Sequence, residues 1–287
     1  MSSGNTVLIT AATGNVGIHA AACLLEEGAE VRALVLPGDP DVGRLPAGVQ
    51  LCEGDLKDPA GVEAALDGVD GVLWMWPFFT LGVETAPAVL EKFEKHVRRV
   101  ALVSSVGVHI GLERRDNNCH AYLEELLRDS GVEWTFLRTT GFMANALGFA
   151  GQIKKGGVVH FPYGEAARTA VHEADLGAVA ARTLTGEGHA RQAYLITGPE
   201  VLTQREQVNI IGEVLGRELG WEDVHAEQAR AQMVATGWPP SYADGALDYF
   251  AMLTKEPEVG SKAVEKIIGR PAHTFREWAE EHINAFR

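Results

Sequence analysis

The feature that most restricts this chain lies at its start. Val7-Leu8-Ile9-Thr10 is a short apolar run that ends in small residues, after which Val16, Ala20, Ala21, Leu24 and Leu25 recur at helical spacing as far as Gly28. A second apolar run, Val31 to Leu36, follows at once. Strand, tight turn, helix and strand in that order make a β-α-β unit, which forces the two strands to lie parallel in one sheet. Further apolar runs at Val49-Cys52, Val72-Met75, Val100-Ser104, Trp134-Leu137 and Ala193-Thr197 alternate with helical stretches near 59–67, 83–97, 120–129 and 174–185. Continuous apolar strands of this kind are buried on both faces, so helices are expected on each side of the sheet.

After Gly198 the pattern is mostly helical. Thr203-Gln204-Arg205-Glu206 has the capping-box form, and Phe275, Trp278, Ala279, Ile283 and Phe286 form a helical stripe near the C-terminus. The expected fold is α/β, a Rossmann-type doubly wound parallel sheet with a smaller, mainly helical C-terminal substrate lobe. Residues 1–140, completed by about 174–198, would form the dinucleotide domain; residues 141–173 and 199–287 would form the lobe. At 287 residues the chain is long enough for both.

With 39 acidic against 25 basic residues the chain carries a net charge of −14, which disfavours nucleic acid and anionic membrane as partners. The densest basic clusters, Arg98-Arg99 and Arg114-Arg115, are pairs rather than runs. Cys23, Cys52 and Cys119 are scattered, which fits a reducing compartment and no zinc site. No signal segment or bilayer-length apolar run is visible, and a cytoplasmic location is expected. His160, His172 and His189 show no metal-ligand spacing with carboxylates or cysteines, and the oligomeric state is left open.

Thr10-Ala11-Ala12-Thr13-Gly14-Asn15-Val16-Gly17 stands between the first strand and the first helix, where small residues admit a pyrophosphate and helix N–H groups point at it. This turn, Gly54-Asp55-Leu56-Lys57-Asp58, Ser130 to Arg138 followed by Phe142 and Asn145, Asp175 to Ala180, and Leu195-Ile196-Thr197-Gly198-Pro199-Glu200 together resemble the NmrA-like, NAD(P)-binding branch of the atypical short-chain dehydrogenases/reductases. The family's turn reads G-x-x-G-x-x-G, and Ala11 replaces its first glycine; Thr139 replaces an expected proline. The resemblance implies a cofactor site at Thr10, Ala11, Thr13, Gly14, Asn15, Val16 and Gly17, with Leu36 at the ribose, Asp55 and Leu56 at the adenine, and Met75, Trp76, Ser104 and Gly141 along the strand ends. It also implies NADP, with NAD left open: Leu36 stands where NADPH-preferring relatives carry arginine, and Arg32 or Arg44 could substitute.

In open parallel sheets ligands lie beyond the carboxyl ends of the strands. The aromatic run from Trp74 to Phe79 is expected there, with Trp76, Phe78, Phe79, Phe142 and Asn145 as substrate contacts for an aromatic or quinone-like small molecule. The Tyr-x-x-x-Lys pair of dehydrogenases is absent, since Leu126 follows Tyr122 by four residues. The resemblance implies a lysine or histidine near the start of this helix, and His120, a histidine able to titrate near neutrality, is the candidate proton donor there; Ser105, where dehydrogenases of the superfamily often place a serine, and Tyr122 complete the candidate catalytic set. The function expected is hydride transfer to a carbonyl, quinone or activated double bond. A non-catalytic redox sensor and a cyclase or isomerase on a retuned scaffold are the alternatives.

Overall fold

The computed structural model describes residues 5–112 and 119–287, so the Arg114-Arg115 pair lies outside the described residues. The first half runs β1 (Thr6–Ile9), α1 (Asn15–Glu26), β2 (Glu30–Val35), β3 (Gln50–Glu53), α2 (Pro59–Ala64), β4 (Gly71–Trp74), α3 (Ala86–His96), β5 (Arg99–Ser105), α4 (Val106–His109), α5 (Cys119–Asp129) and β6 (Glu133–Thr139). It continues with α6 (Ala150–Gly156), β7 (Val158–His160), β8 (Ala167–Arg168), α7 (Glu173–Thr185), β9 (Gln192–Ile196), β10 (Leu202–Thr203), α8 (Gln204–Leu215), β11 (Gly220–Glu222), α9 (Ala226–Ala235), α10 (Pro240–Leu253), α11 (Ala263–Ile268) and α12 (Phe275–Glu281).

Seven strands form one sheet in the order β3-β2-β1-β4-β5-β6-β9, every neighbouring pair parallel. The seven apolar runs supply these strands, and the order reverses between β1 and β4, which opens a crevice at their carboxyl ends. On one face Ala20, Ala21 and Leu24 of α1 pack with Leu176, Val179 and Ala180 of α7 and with Val264 of α11. On the other, α2, α3 and α5 cover the sheet through Val62, Phe93, Leu123 and Leu127. Burial of the two faces explains why the central strands read as unbroken apolar runs, whereas the edge strands β3 and β9 are more exposed.

Gly177 sets the approach of α7 to α1: a Cβ there would stand 2.7 Å from the Ala20 nitrogen and 2.8 Å from the His19 Cβ. A third core joins Met143, Ile153, Val208, Ile211, Phe275, Trp278, Ala279 and Phe286, so the C-terminal stripe packs on α8. Thr203 and Glu206 make the expected capping box at the start of α8. Two small sheets, β8 with β10 and β7 with β11, lie outside the main one. These strands have two or three residues each, too few for a period-of-two pattern to register in sequence.

Candidate functional site

At the end of β1 the backbone turns through Ala11, whose φ of +48° lies in the left-handed region. The Gly14 N–H donates to the Ala11 carbonyl at 3.1 Å, and α1 begins at Asn15. The turn has the features an anionic diphosphate needs. No side chain caps α1, its first turn holds no acidic residue, and among the described residues none accepts from the amides of Asn15, Val16 and Gly17. A Cβ on Gly17 would come within 2.5 Å of the Ala12 carbonyl oxygen, so only glycine allows this close return of the chain. Free amides at the positive end of a 12-residue helix fit the diphosphate of a dinucleotide.

Around this turn, Thr10 staples the crevice: its hydroxyl donates to the Met75 carbonyl at 2.9 Å and accepts from the Met75 N–H at 2.8 Å. Both residues thus fix the spacing of β1 and β4. The Thr13 hydroxyl donates to Asp39 at 2.8 Å. Leu36 is half exposed at the end of β2. Asp55 accepts from the Lys57 N–H at 2.9 Å and shapes the turn after β3, while Leu56 is buried beneath it.

Beyond β4 the aromatic residues divide. Trp76 is 5% exposed, packs edge-on to Trp74 in the core and donates its indole N–H to the Leu81 carbonyl at 3.2 Å. Its apolar bulk is claimed by α3 and the sheet, so the structure sets Trp76 behind the wall it was expected to form. Phe78 and Phe79 lie with ring centroids 4.7 Å apart, and Tyr242 of α10 sits 5.3 and 5.1 Å from them. Trp238 approaches Phe79 at 5.3 Å. His120 meets Phe78 edge-on at 5.1 Å, which brings the candidate proton donor to the edge of the aromatic cluster.

His120, at the start of α5, is 8% exposed. Burial pushes its pKa down to about 4, with Glu124 opposing the shift, so the ring is neutral at physiological pH and the expected titration near neutrality does not hold. Its Nδ1 lies 3.5 Å from the Cys119 sulfur. Burial raises that thiol to about 11 against a hydrogen bond with Tyr242, which keeps it protonated.

One turn along α5, Glu124 accepts from Ser104 at 2.6 Å, from Arg138 at 2.9 and 2.6 Å and from Arg128 at 2.6 Å. Burial would raise its pKa, but the bonds from Arg138 and Ser104 and the two guanidinium charges hold it below the usual value. Ser104 is therefore committed to a structural carboxylate. Ser105 caps α4 by accepting from the Gly107 N–H at 3.1 Å. Tyr122 is exposed and, two residues from His120, stands about 200° around the helix from it, so the structure does not bring the two together.

Past β6, a Cβ on Gly141 would overlap the Arg168 guanidinium, which lies over the Tyr249 and Phe250 rings at 5.9 and 5.6 Å. Phe142 bridges to Val171 and is half-buried, whereas Asn145 is exposed. The residues that sequence reasoning missed are Trp238 and Tyr242, which come from the far end of the chain. Their signal is the pair of rings flanking Pro239-Pro240 at the start of α10.

His172 lies close to His273, with ring centroids 4.8 Å apart, but it caps α7 by accepting from the Ala174 N–H and leaves Nε2 facing Glu281 at 3.3 Å. Among the described residues no three His, Cys, Asp or Glu side chains converge to hold a metal. No described helix is long and apolar enough to cross a membrane.

A family profile for NAD(P)H-binding proteins matches residues 11–187, the span from the phosphate turn to the end of α7. The chain is 35% identical to a (4-alkanoyl-5-oxo-2,5-dihydrofuran-3-yl)methyl phosphate reductase of Streptomyces griseus, covering 98% of this chain and 99% of the other. It is 31% identical to an NAD(P)H azoreductase of Xenophilus azovorans, with the same coverage of 98% and 99%. Among solved structures, Citrobacter triphenylmethane reductase complexed with NADP(H) superposes with a TM-score of 0.81 at 21% identity, over 96% of this chain and 99% of that one. At that identity the likeness speaks for the fold. The chain belongs to this NAD(P)H-binding family and is an NAD(P)H-dependent reductase.

Proposed function

We propose that the chain reduces a planar, electron-poor small molecule, of the quinone, azo or activated double-bond class, held against the exposed side of the Phe78 and Phe79 pair beside Tyr242 and Trp238. The observation that carries this reading is the pairing of an open amide turn at the β1 exit with an aromatic cluster at the β4 exit, on either side of one crevice. Relatives named as reducing an azo compound, a quinone and an unsaturated lactone phosphate support the range. Bound NAD(P)H supplies the hydride.

The chain's own part is orientation of both reactants and polarisation of the acceptor atom, with the proton that completes the reduction drawn from water. The amides of Asn15 to Gly17 hold the diphosphate, and offset stacking on Phe78 and Phe79 fixes a flat ring. With the Cys119 sulfur 3.5 Å from Nδ1, the tautomer of His120 that carries its proton on Nε2 presents a neutral imidazole N–H to polarise the acceptor atom of the substrate. Gly141, covered by Arg168, closes the β6 side.

The test is NAD(P)H consumption with a panel of naphthoquinones, azo dyes and unsaturated lactones, with His120→Phe and Phe78→Ala alongside. We expect turnover by the parent, a loss in kcat of about a hundredfold or more for His120→Phe, and a raised KM for Phe78→Ala. Cofactor binding with no acceptor reduced contradicts the catalytic reading.

A further inference from the structure

We infer that the nucleotide site selects against a 2′-phosphate and takes NADH in preference to NADPH, with Asp39 as the residue that reads the adenosine ribose; this rests on the nucleotide site proposed above. In a doubly wound sheet the adenosine ribose falls between the phosphate turn and the end of the second strand, where a carboxylate accepts from ribose hydroxyls and an arginine would pair with a 2′-phosphate.

In this chain β2 runs into Leu36-Pro37-Gly38-Asp39. The Asp39 N–H donates to the Leu36 carbonyl at 3.1 Å and Gly38 has φ +74°, so Pro and Gly occupy the central positions of a type II turn. That turn folds Asp39 back onto the phosphate turn. One carboxylate oxygen accepts from the Thr13 hydroxyl at 2.8 Å and the other from the Asp41 N–H at 2.9 Å. The carboxylate is thereby fixed at the edge of the diphosphate cradle, on the side where β2 ends.

Of the cations that could offset it, Arg32 is committed elsewhere and Arg44, half exposed, lies beside a second carboxylate. Arg32 donates to the carbonyls of Ala65 and Asp67 at 3.1 and 2.6 Å, and Arg44 lies 3.8 Å from Asp41. Among the described residues none pairs with Asp39. Leu36, 53% exposed, brings no charge where a guanidinium would serve a phosphate. A 2′-phosphate would therefore meet a fixed like charge with no counter-ion, whereas a ribose 2′-hydroxyl finds an acceptor. Rejection by repulsion is the stronger half of this discrimination.

The test is a titration of the full chain with NADH and with NADPH, followed by nicotinamide fluorescence. NADH should bind more tightly by about tenfold or more, and Asp39→Asn should narrow the ratio chiefly by tightening NADPH. On the unmodified protein, AMP should displace NADH better than its 2′-phosphorylated counterpart, a result that needs no variant. Equal or tighter NADPH binding by the parent, or an unchanged ratio in Asp39→Asn, overturns the inference while the nucleotide site stands. If neither nucleotide binds at millimolar concentration, the site itself is refuted and the inference falls with it.

Discussion

Ala11 sits where its family places glycine, and it adopts the left-handed backbone that glycine adopts without strain. Holding an L-residue there costs about 1–2 kcal/mol, against about 0.5–1 kcal/mol of extra chain entropy that glycine would bring. Ala11→Gly should therefore raise the unfolding free energy by about 0.5–1 kcal/mol, measurable by urea denaturation; a fall would contradict the turn geometry. His120 makes a prediction in pH. Its folded pKa of about 4 lies below the ordinary histidine value of 6.5, so the unfolded chain binds the proton first as pH falls. The stability this burial confers is complete above pH 6.5 and drains away toward pH 4, by on the order of 3 kcal/mol. Glu124, also depressed, contributes in the same direction: its share is present above the unfolded carboxylate pKa and is lost as pH falls through the folded one. His120→Gln should flatten the upper part of this acid loss in thermal melts taken across that range. In kcat, no inflection near pH 6.5 is expected from His120; one that disappears in the variant would show that burial does not neutralise it.

Among the elements, α1 carries the phosphate turn, and its position is set from behind by α7. Gly177→Ala places a methyl against the Ala20 nitrogen and His19, and should destabilise by about 1–3 kcal/mol. Because α1 must shift to relieve the clash, nucleotide affinity should fall as well. Denaturation and cofactor titration of one variant read both effects, and unchanged stability would contradict the packing. The seven strands and the α1 turn were legible because each is an apolar run set off by its neighbours or a placed glycine pattern. The capping box at Thr203 was legible for the same reason, being a local rule written in four residues. By contrast, Trp238 and Tyr242 reach Phe78 and Phe79 over more than 150 positions of sequence, and no local period encodes such a meeting. Trp76 illustrates the converse. An aromatic residue after a strand reads the same whether it faces a ligand or fills the core, and here packing beside Trp74 decides.

Taken whole, the chemistry proposed here falls where the sheet order reverses. β1 and β4 diverge beyond the Thr10 staple, α1 presents free amides on one side, and the β4 exit offers a ring surface covered by α10 on the other. The sequence showed the sheet and the turn, while the partners of His120 and Asp39 depended on folding. The Glu124 cluster, buried and holding β5, α5 and β6 together, explains why Ser104 is spent on structure. Removing that carboxylate would leave the largely buried Arg138 guanidinium and the Ser104 hydroxyl without their partner, so Glu124→Ala should cost about 1.5–3 kcal/mol, read as an earlier thermal transition. The most direct test of the central claim is diffraction from crystals grown with NADH. Nucleotide density with its diphosphate on the amides of Asn15 to Gly17 is the predicted result. A diphosphate bound anywhere else, with those amides still facing solvent, would contradict it.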